Sequence, residues 1–275
     1  MPQPVVFIDS GVGGLPYFQA FRDAAPSIPA YYVADHANFP YGPKDKNVLS
    51  GLLVSLVRRL QKAFDPRLVV VACNTASVSA LQDLRDSFPE LPFVGTVPAV
   101  KPAVLESRNG RVGVLATERT LADPYIYGLA KTYAPQCTLF PLPAPELVYF
   151  VENGYLDSTP EERQSIIEPY VRAFRAWDVD TIVLGCTHFL FLVGDFRSIL
   201  QDKFRLFDSR DGVAHRAISL LSMEGGAARP DDSGSEGAGK ERSPTVRFFI
   251  SGGPDIPPPL RQFSQRYGLA VEMLP

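Results

Sequence analysis

Two stretches of this chain repeat one another. Val69-Val70-Val71-Ala72 runs apolar into Cys73-Asn74-Thr75-Ala76-Ser77, and Thr181-Ile182-Val183-Leu184-Gly185 runs apolar into Cys186-Thr187-His188. A short unbroken apolar run is what a strand covered on both faces needs, so each stretch is predicted to be a buried parallel strand. After Cys73, the residues Val78, Leu81, Leu84 and Phe88 recur at helical spacing, while Asp83, Arg85 and Asp86 fall off that face. A helix is therefore predicted to begin at once, capped by Asn74, Thr75 or Ser77. A sulfur at that junction lies near free backbone N–H groups and the positive end of the helix dipole, which favours a thiolate. Two such strand ends in one chain point to a site with two facing sulfurs.

The same alternation runs along the chain. Pro4 to Ile8 is a predicted buried strand ending at Asp9-Ser10, and Gly11-Val12-Gly13-Gly14 turns into a helix carrying Leu15, Phe18 and Phe21. Those glycines allow positive φ or close approach of backbone to a ligand. A dinucleotide fingerprint fails because Pro16 stands at the last glycine's place, which leaves a small carboxylate or phosphate, or a purely structural turn. Tyr31 to Ala34 is a second strand closed by Asp35. The irregular loop Asn38-Phe39-Pro40-Tyr41-Gly42-Pro43 follows, then a helix with Leu52, Leu53, Leu56, Val57 and Leu60 inward.

Leu91 to Pro98 gives a short strand and the first domain boundary, Arg111 to Thr117 another strand, and Asp123-Pro124 a helix start. Cys137 to Phe140 is predicted as a strand with an inert buried thiol. Pro141, Pro143 and Pro145 break the chain before Glu146 to Gly154, where Glu152 is a solvated carboxylate unless it approaches His188. Thr159-Pro160-Glu161-Glu162 carries the cap, first-turn proline and capping box of a helix buried along Ile166, Ile167, Tyr170, Val171, Phe174 and Trp177. A helix through Leu190, Leu192 and Phe196 follows the second cysteine strand. Leu206 to Ser209 ends a strand before a helix at Val213 to Leu221. Gly225 to Pro244 is rich in Gly, Ser and charge, a predicted flexible surface insertion, and Val246 to Ile250 is the last predicted strand.

Strands alternating with helices predict a doubly wound, mostly parallel α/β fold, in which ligands sit at the carboxyl ends of strands. Asp9-Ser10, Cys73-Asn74-Thr75, Thr117 and Cys186-Thr187-His188 all fall at such ends. Three cysteines and three dispersed histidines fit neither a disulfide scaffold nor a histidine-rich metal site. A net charge of −3 without a basic run argues against nucleic acid or an anionic membrane surface. No apolar run reaches the roughly 18 residues that span a bilayer, and the start lacks the pattern of a signal peptide, so a cytoplasmic location is expected.

A cysteine beside a histidine, as in Cys186 and His188, could be a nucleophile. Two matched cysteines fit a different chemistry, in which one thiolate removes a proton from carbon and the opposite thiol returns one on the other face. No lysine stands at a strand end or glycine turn to form a Schiff base, so the carbanion's support would come from hydroxyl, amide and backbone donors.

Five motifs then recur in order over nearly the whole chain. They are Phe7-Ile8-Asp9-Ser10-Gly11-Val12-Gly13-Gly14-Leu15, Tyr32-Val33-Ala34-Asp35 through Asn38-Phe39-Pro40-Tyr41-Gly42, Val71-Ala72-Cys73-Asn74-Thr75-Ala76-Ser77, Val97-Pro98-Ala99-Val100-Lys101-Pro102 and Leu184-Gly185-Cys186-Thr187-His188. With them the chain resembles the cofactor-independent glutamate racemases of the aspartate/glutamate racemase superfamily. The resemblance implies two similar α/β domains facing across a cleft, residues 1–97 with 208–275 and residues 98–207. It implies that Cys73 acts on the D-enantiomer with help from Asp9, and Cys186 on the L-enantiomer with help from His188 and Glu152. Ser10, Pro40, Tyr41, Gly42, Asn74, Thr75, Thr120 and Thr187, with Asp9 and His188, would hold the substrate. No cofactor or metal is implied. The implied partner is glutamate, destined as the D-form for peptidoglycan, together with a second copy in a homodimer.

The sequence departs from the family in three places. Ala144-Pro145 stands where Cys-Pro is common, Asp123 stands where a serine is usual, and the N-terminal extension linked to activation by a cell-wall precursor is missing, so that activation is not expected. Alternatives left open are an aspartate racemase, a cysteine amidohydrolase using Cys186 and His188, and an amino-acid-binding protein without turnover.

Overall fold

The computed structural model describes residues 3–200, 203–224, 245–253 and 255–275. The insertion expected at Gly225 to Pro244 lies outside the described residues. The apolar runs form parallel strands. β1 (Val5–Asp9), β2 (Ala30–Ala34), β3 (Leu68–Val71), β4 (Phe93–Gly95), β9 (Val246–Ile250) and β10 (Val271–Met273) make one sheet, ordered β10-β9-β2-β1-β3-β4. β5 (Arg111–Ala116), β6 (Thr138–Pro143), β7 (Thr181–Leu184) and β8 (Arg205–Phe207) make a second, ordered β6-β5-β7-β8.

Helices cover both faces of each sheet. Phe7 and Tyr32 pack against α1 (Leu15–Ala24) and α10 (Arg210–Glu224), while Val6, Ile8 and Val33 pack on the other side against α2 (Lys46–Phe64) and α3 (Asn74–Ser87). In the second sheet Val112 and Val114 face α4 (Val100–Glu106) and α6 (Pro124–Tyr133). Leu115, Ile182 and Leu184 belong instead to the large core that continues into the first sheet. That shared core also takes in α7 (Pro145–Asn153), α8 (Pro160–Ala176) and α9 (Val193–Leu200). The short α5 (Glu118–Leu121) follows β5, and α11 (Pro258–Arg266) lies between the last two strands.

Register places the strand ends. Ile8 pairs with Val33 and Val71, and the Ala72 amide donates to the Ile8 carbonyl at 2.8 Å, so Asp9, Asp35 and Cys73 emerge at one edge. In the second sheet Leu115 pairs with Leu184 and the Gly185 amide donates to the Leu115 carbonyl at 2.7 Å, so Thr117 and Cys186 emerge together.

Several expectations need correcting. None of Asn74, Thr75 and Ser77 caps α3: Cys73 itself is the N-cap, without a side-chain hydrogen bond, and the Ser77 hydroxyl turns back to the Val71 carbonyl at 3.1 Å. The buried face of α3 runs through Ala76, Ala80 and Leu84, with Val78 and Leu81 only half-buried, because small residues let this helix lie close to its sheet. Pro141 and Pro143 do not break the chain but lie in β6, an edge strand where a missing N–H is tolerated. Cys137 is half-buried rather than buried. Val246 to Ile250 is not the last strand, since α11 and β10 follow it.

The capping box at Thr159 forms as expected, with both Thr159 and Glu162 making their bonds, and α8 presents Phe174 to the sheet. Gly113 in β5 has no room for a side chain, because a Cβ would stand 2.5 Å from the Phe174 ring. Gly113→Ala should therefore destabilise the protein by about 1–3 kcal/mol, measured as a fall in urea midpoint at unchanged slope.

Candidate active site

Asp9 ends β1 fully buried. It accepts from the Gly11 amide at 2.9 Å, and its other oxygen accepts from the Thr187 hydroxyl at 3.2 Å. Burial pushes its carboxyl up to about 6 against the pull of His188. Burial also pushes the Cys73 thiol well up, and the Asp9 charge adds to this, while the Thr75 and Ala76 amides of the helix end pull the other way. At this junction burial outweighs the helix dipole, so Cys73 rests as a thiol and not as the expected thiolate.

Cys186 follows β7, and its Sγ lies 3.8 Å from His188 Nδ1. Glu152 is no solvated loop residue: α7 carries it, buried, to 2.6 Å from His188 Nε2. Burial of the imidazole disfavours its charge, but Cys186 and Glu152 outweigh that and hold the ring protonated, well above the usual histidine range. Glu152 Oε1 also accepts from the Val12 amide of the glycine turn at 2.7 Å.

None of the glycines in that turn has positive φ. Close approach is what they provide. A Cβ on Gly11 would collide with the Glu152 carboxylate, and one on Gly13 with the His188 ring and the Thr187 hydroxyl.

A cavity of about 160 Å³ opens between these strand ends. Of the residues expected there, Cys73, Cys186, Ser10, Pro40, Tyr41, Gly42, Thr75 and His188 line it. Asp9, Glu152 and Thr187 stand one layer behind, joined to the lining by hydrogen bonds or by their place in the turns. The Tyr41 hydroxyl is committed elsewhere, donating to Asp35 at 2.8 Å, so this residue offers the cavity its ring and backbone. Asn74 is buried, and neither its Oδ1 nor its Nδ2 meets a partner among the described residues. An unpaired buried amide costs free energy, although Asn74 does not itself line the cavity.

Thr120 does not reach the lining. Its hydroxyl bonds Thr117 at 3.1 Å, and Thr117 takes the cavity position and bonds Thr75 at 2.9 Å. Thr117 was legible as a strand-end hydroxyl. Glu118, Pro145, Val148 and Tyr149 also line the cavity and were not anticipated. Val148 and Glu152 share a helical face at a spacing of four, so a helix assignment here would have found them together. Asp123 is kept from the cavity by its role as N-cap of α6, accepting from the Tyr125 amide at 2.9 Å.

Two doubly wound sheets with a cysteine of each at a common cavity place the chain in a known class. It belongs to the Asp/Glu/hydantoin racemase family, whose sequence profile matches residues 17–215, and it is an enzyme of the isomerase class. Glutamate racemase from Bartonella bacilliformis is 38% identical over 222 residues, covering 80% of this chain and 82% of the relative. That from Pectobacterium carotovorum is 40% identical over 220 residues, covering 79% and 76%. The crystal structure of Escherichia coli glutamate racemase, in complex with L-glutamate and the activator UDP-MurNAc-ala, superposes with a TM-score of 0.80 at 33% identity over 99% of this chain and 98% of that one.

The raised Asp9 carboxyl has a consequence for folding. Its neutral form is favoured in the fold, so its contribution to stability is present below the usual aspartate value and lost as pH rises through about 6. The stability of the wild type relative to Asp9→Asn should fall by roughly 2–3 kcal/mol between pH 4 and pH 7, read from urea unfolding of both proteins.

Proposed function

We propose that the chain interconverts L- and D-glutamate without a cofactor by proton transfer between two thiols. The observation that carries this reading is that both Cys73 and Cys186 line one cavity, with the buried Asp9 charge felt at Cys73 and the buried His188 ring 3.8 Å from Cys186. Asp9 takes the Cys73 proton, and the resulting thiolate removes the α-proton of D-glutamate. Cys186 delivers its proton to the opposite face of the α-carbon, and the His188 imidazolium, held by Glu152, restores it. One proton leaves carbon and one arrives, so no net redox change occurs. The reverse passage starts at Cys186 with L-glutamate.

Support for the carbanion comes from neutral donors. Ser10, Thr75, Thr117 and the Tyr41-Gly42 backbone would surround the substrate, the buried Asn74 amide lies just behind them at the start of α3, and the N-terminus of that helix adds a positive field. Glutamate as substrate is favoured by the glutamate racemases that match four-fifths of the chain.

The same proposal includes two domains, 1–97 with 208–275 and 98–207, a division consistent with strands β1–β4, β9 and β10 forming one sheet and β5–β8 the other. It also includes a homodimer, a cytoplasmic location and a supply of D-glutamate for peptidoglycan. Among the described residues no helix is long and apolar enough to cross a membrane.

The test is incubation with D-glutamate in D₂O without added cofactor, following the α-proton by NMR and the ellipticity by circular dichroism. Deuterium should enter at Cα while the ellipticity decays to zero. Cys73→Ser and Cys186→Ser should each lose a factor of about 10²–10⁴ or more in kcat. Retention of the α-proton by the wild type, or full activity in either variant, would sink the two-thiol reading.

A further inference from the structure

Thr187 follows Cys186 directly, yet its hydroxyl bonds across to the first sheet. It is 1% exposed, is not part of the cavity wall, and donates to Asp9 Oδ2 at 3.2 Å, 178 residues away in sequence. A threonine hydroxyl has one proton to give, and this one is committed to the carboxylate whose charge is felt at the other cysteine. Gly13 leaves the space for this contact, since a Cβ there would lie 2.5 Å from the Thr187 oxygen.

We propose that Thr187 is a positioning residue for the Asp9–Cys73 half of the reaction, serving the thiol of the opposite sheet rather than its neighbour Cys186. This rests on the two-thiol reading above. The bond fixes one oxygen of the Asp9 carboxylate while the Gly11 amide, with the Ser10 hydroxyl at 3.5 Å, holds the other, so the carboxylate that acts on the Cys73 proton has a set orientation. It also favours the ionised form of Asp9, the form needed to accept that proton.

The contact has a mirror image. The Val12 amide, from the β1 side, holds the Glu152 carboxylate that supports His188 and Cys186. Each thiol's helper is thus held by a group from the opposite sheet, so both are in place only when the two halves of the cavity are together.

The groups facing Asp9 are Cys73, Tyr32 and Tyr41 from its own sheet, and His188, Glu152 and Thr187 from the other side. Removing the hydroxyl leaves all the others in place. It should raise the Asp9 carboxyl further, moving the acidic limb of kcat to higher pH.

The experiment compares wild type, Thr187→Val and Thr187→Ser with D- and L-glutamate, each also deuterated at Cα. The valine variant should lose roughly tenfold in kcat, while the serine variant stays within about threefold. In the valine variant the acidic limb should move up by roughly one pH unit, and the deuterium isotope effect should grow for D-glutamate and shrink for L-glutamate. That asymmetry follows because only the Cys73 step has slowed.

A rise in KM with an unmoved pH limb and unchanged isotope effects would overturn the proposal in favour of simple substrate binding. Growth of the isotope effect for L-glutamate instead would assign Thr187 to Cys186. If the valine variant does not fold, Thr187→Ala against Thr187→Ser makes the same comparison. Failure of the wild type to racemise glutamate would overturn the underlying two-thiol reading, whereas an insensitive variant of an active wild type overturns this inference alone.

Discussion

The structure hinges on one close contact, the backbone of Gly11 to Gly14 laid against the Glu152–His188 pair. The Val12 amide reaches Glu152 at 2.7 Å only because neither neighbour carries a side chain that would fill the gap. Through that contact the end of β1 meets the end of β7, Asp9 comes within reach of the Thr187 hydroxyl, and the large core runs without a break from Phe7 and Phe18 to Phe174 and Phe196. Two sheets that could otherwise be separate units share one interior and one cavity. Water is kept from the acid–base groups by the same packing that orients them.

Burial gives the two thiols different surroundings. Cys73 feels an anionic neighbour, Asp9, whose charge, together with desolvation, keeps the sulfur protonated at rest. Cys186 has a cationic neighbour, the His188 imidazolium held by Glu152. A pair of sulfurs that look alike in sequence is therefore inequivalent in chemistry, one beside a proton acceptor and the other beside a proton donor. Around them the lining is mostly hydroxyls, ring faces and backbone, with Glu118 at the exposed rim and Asp123 occupied in capping a helix. An anionic ligand would be met by dipoles and one imidazolium instead of by lysine or arginine. This suits the proposed chemistry, in which charge develops on carbon and the substrate is not fixed too firmly in its ground state.

Much of this was legible because strands buried on both faces leave an unmistakable trace. Val69 to Val71 and Thr181 to Leu184 could hardly be anything else, and their polar ends marked Cys73 and Cys186 at once. The capping box at Thr159 was equally plain. What escaped was governed by neighbours distant in sequence. Glu152 gave no local sign of burial, since a glutamate after an apolar run is ordinarily solvated. Pro141 and Pro143 look like breakers and are harmless only because β6 is an edge. Thr120 and Thr117 are both hydroxyls near a strand end, and nothing local says that the first serves the second.

The sequence by itself determined the parallel strands, the helices between them, and the arrival of two cysteines at strand ends, because these follow from apolar runs and periodicity within a dozen residues. Only the tertiary structure decided that Gly13 makes room for His188, that Glu152 lies buried against His188, and that the Thr187 hydroxyl bonds Asp9. Those outcomes depend on desolvation and on contacts between residues more than a hundred positions apart along the chain, or on which atoms happen to lie across a shared core. Periodicity carries no record of either.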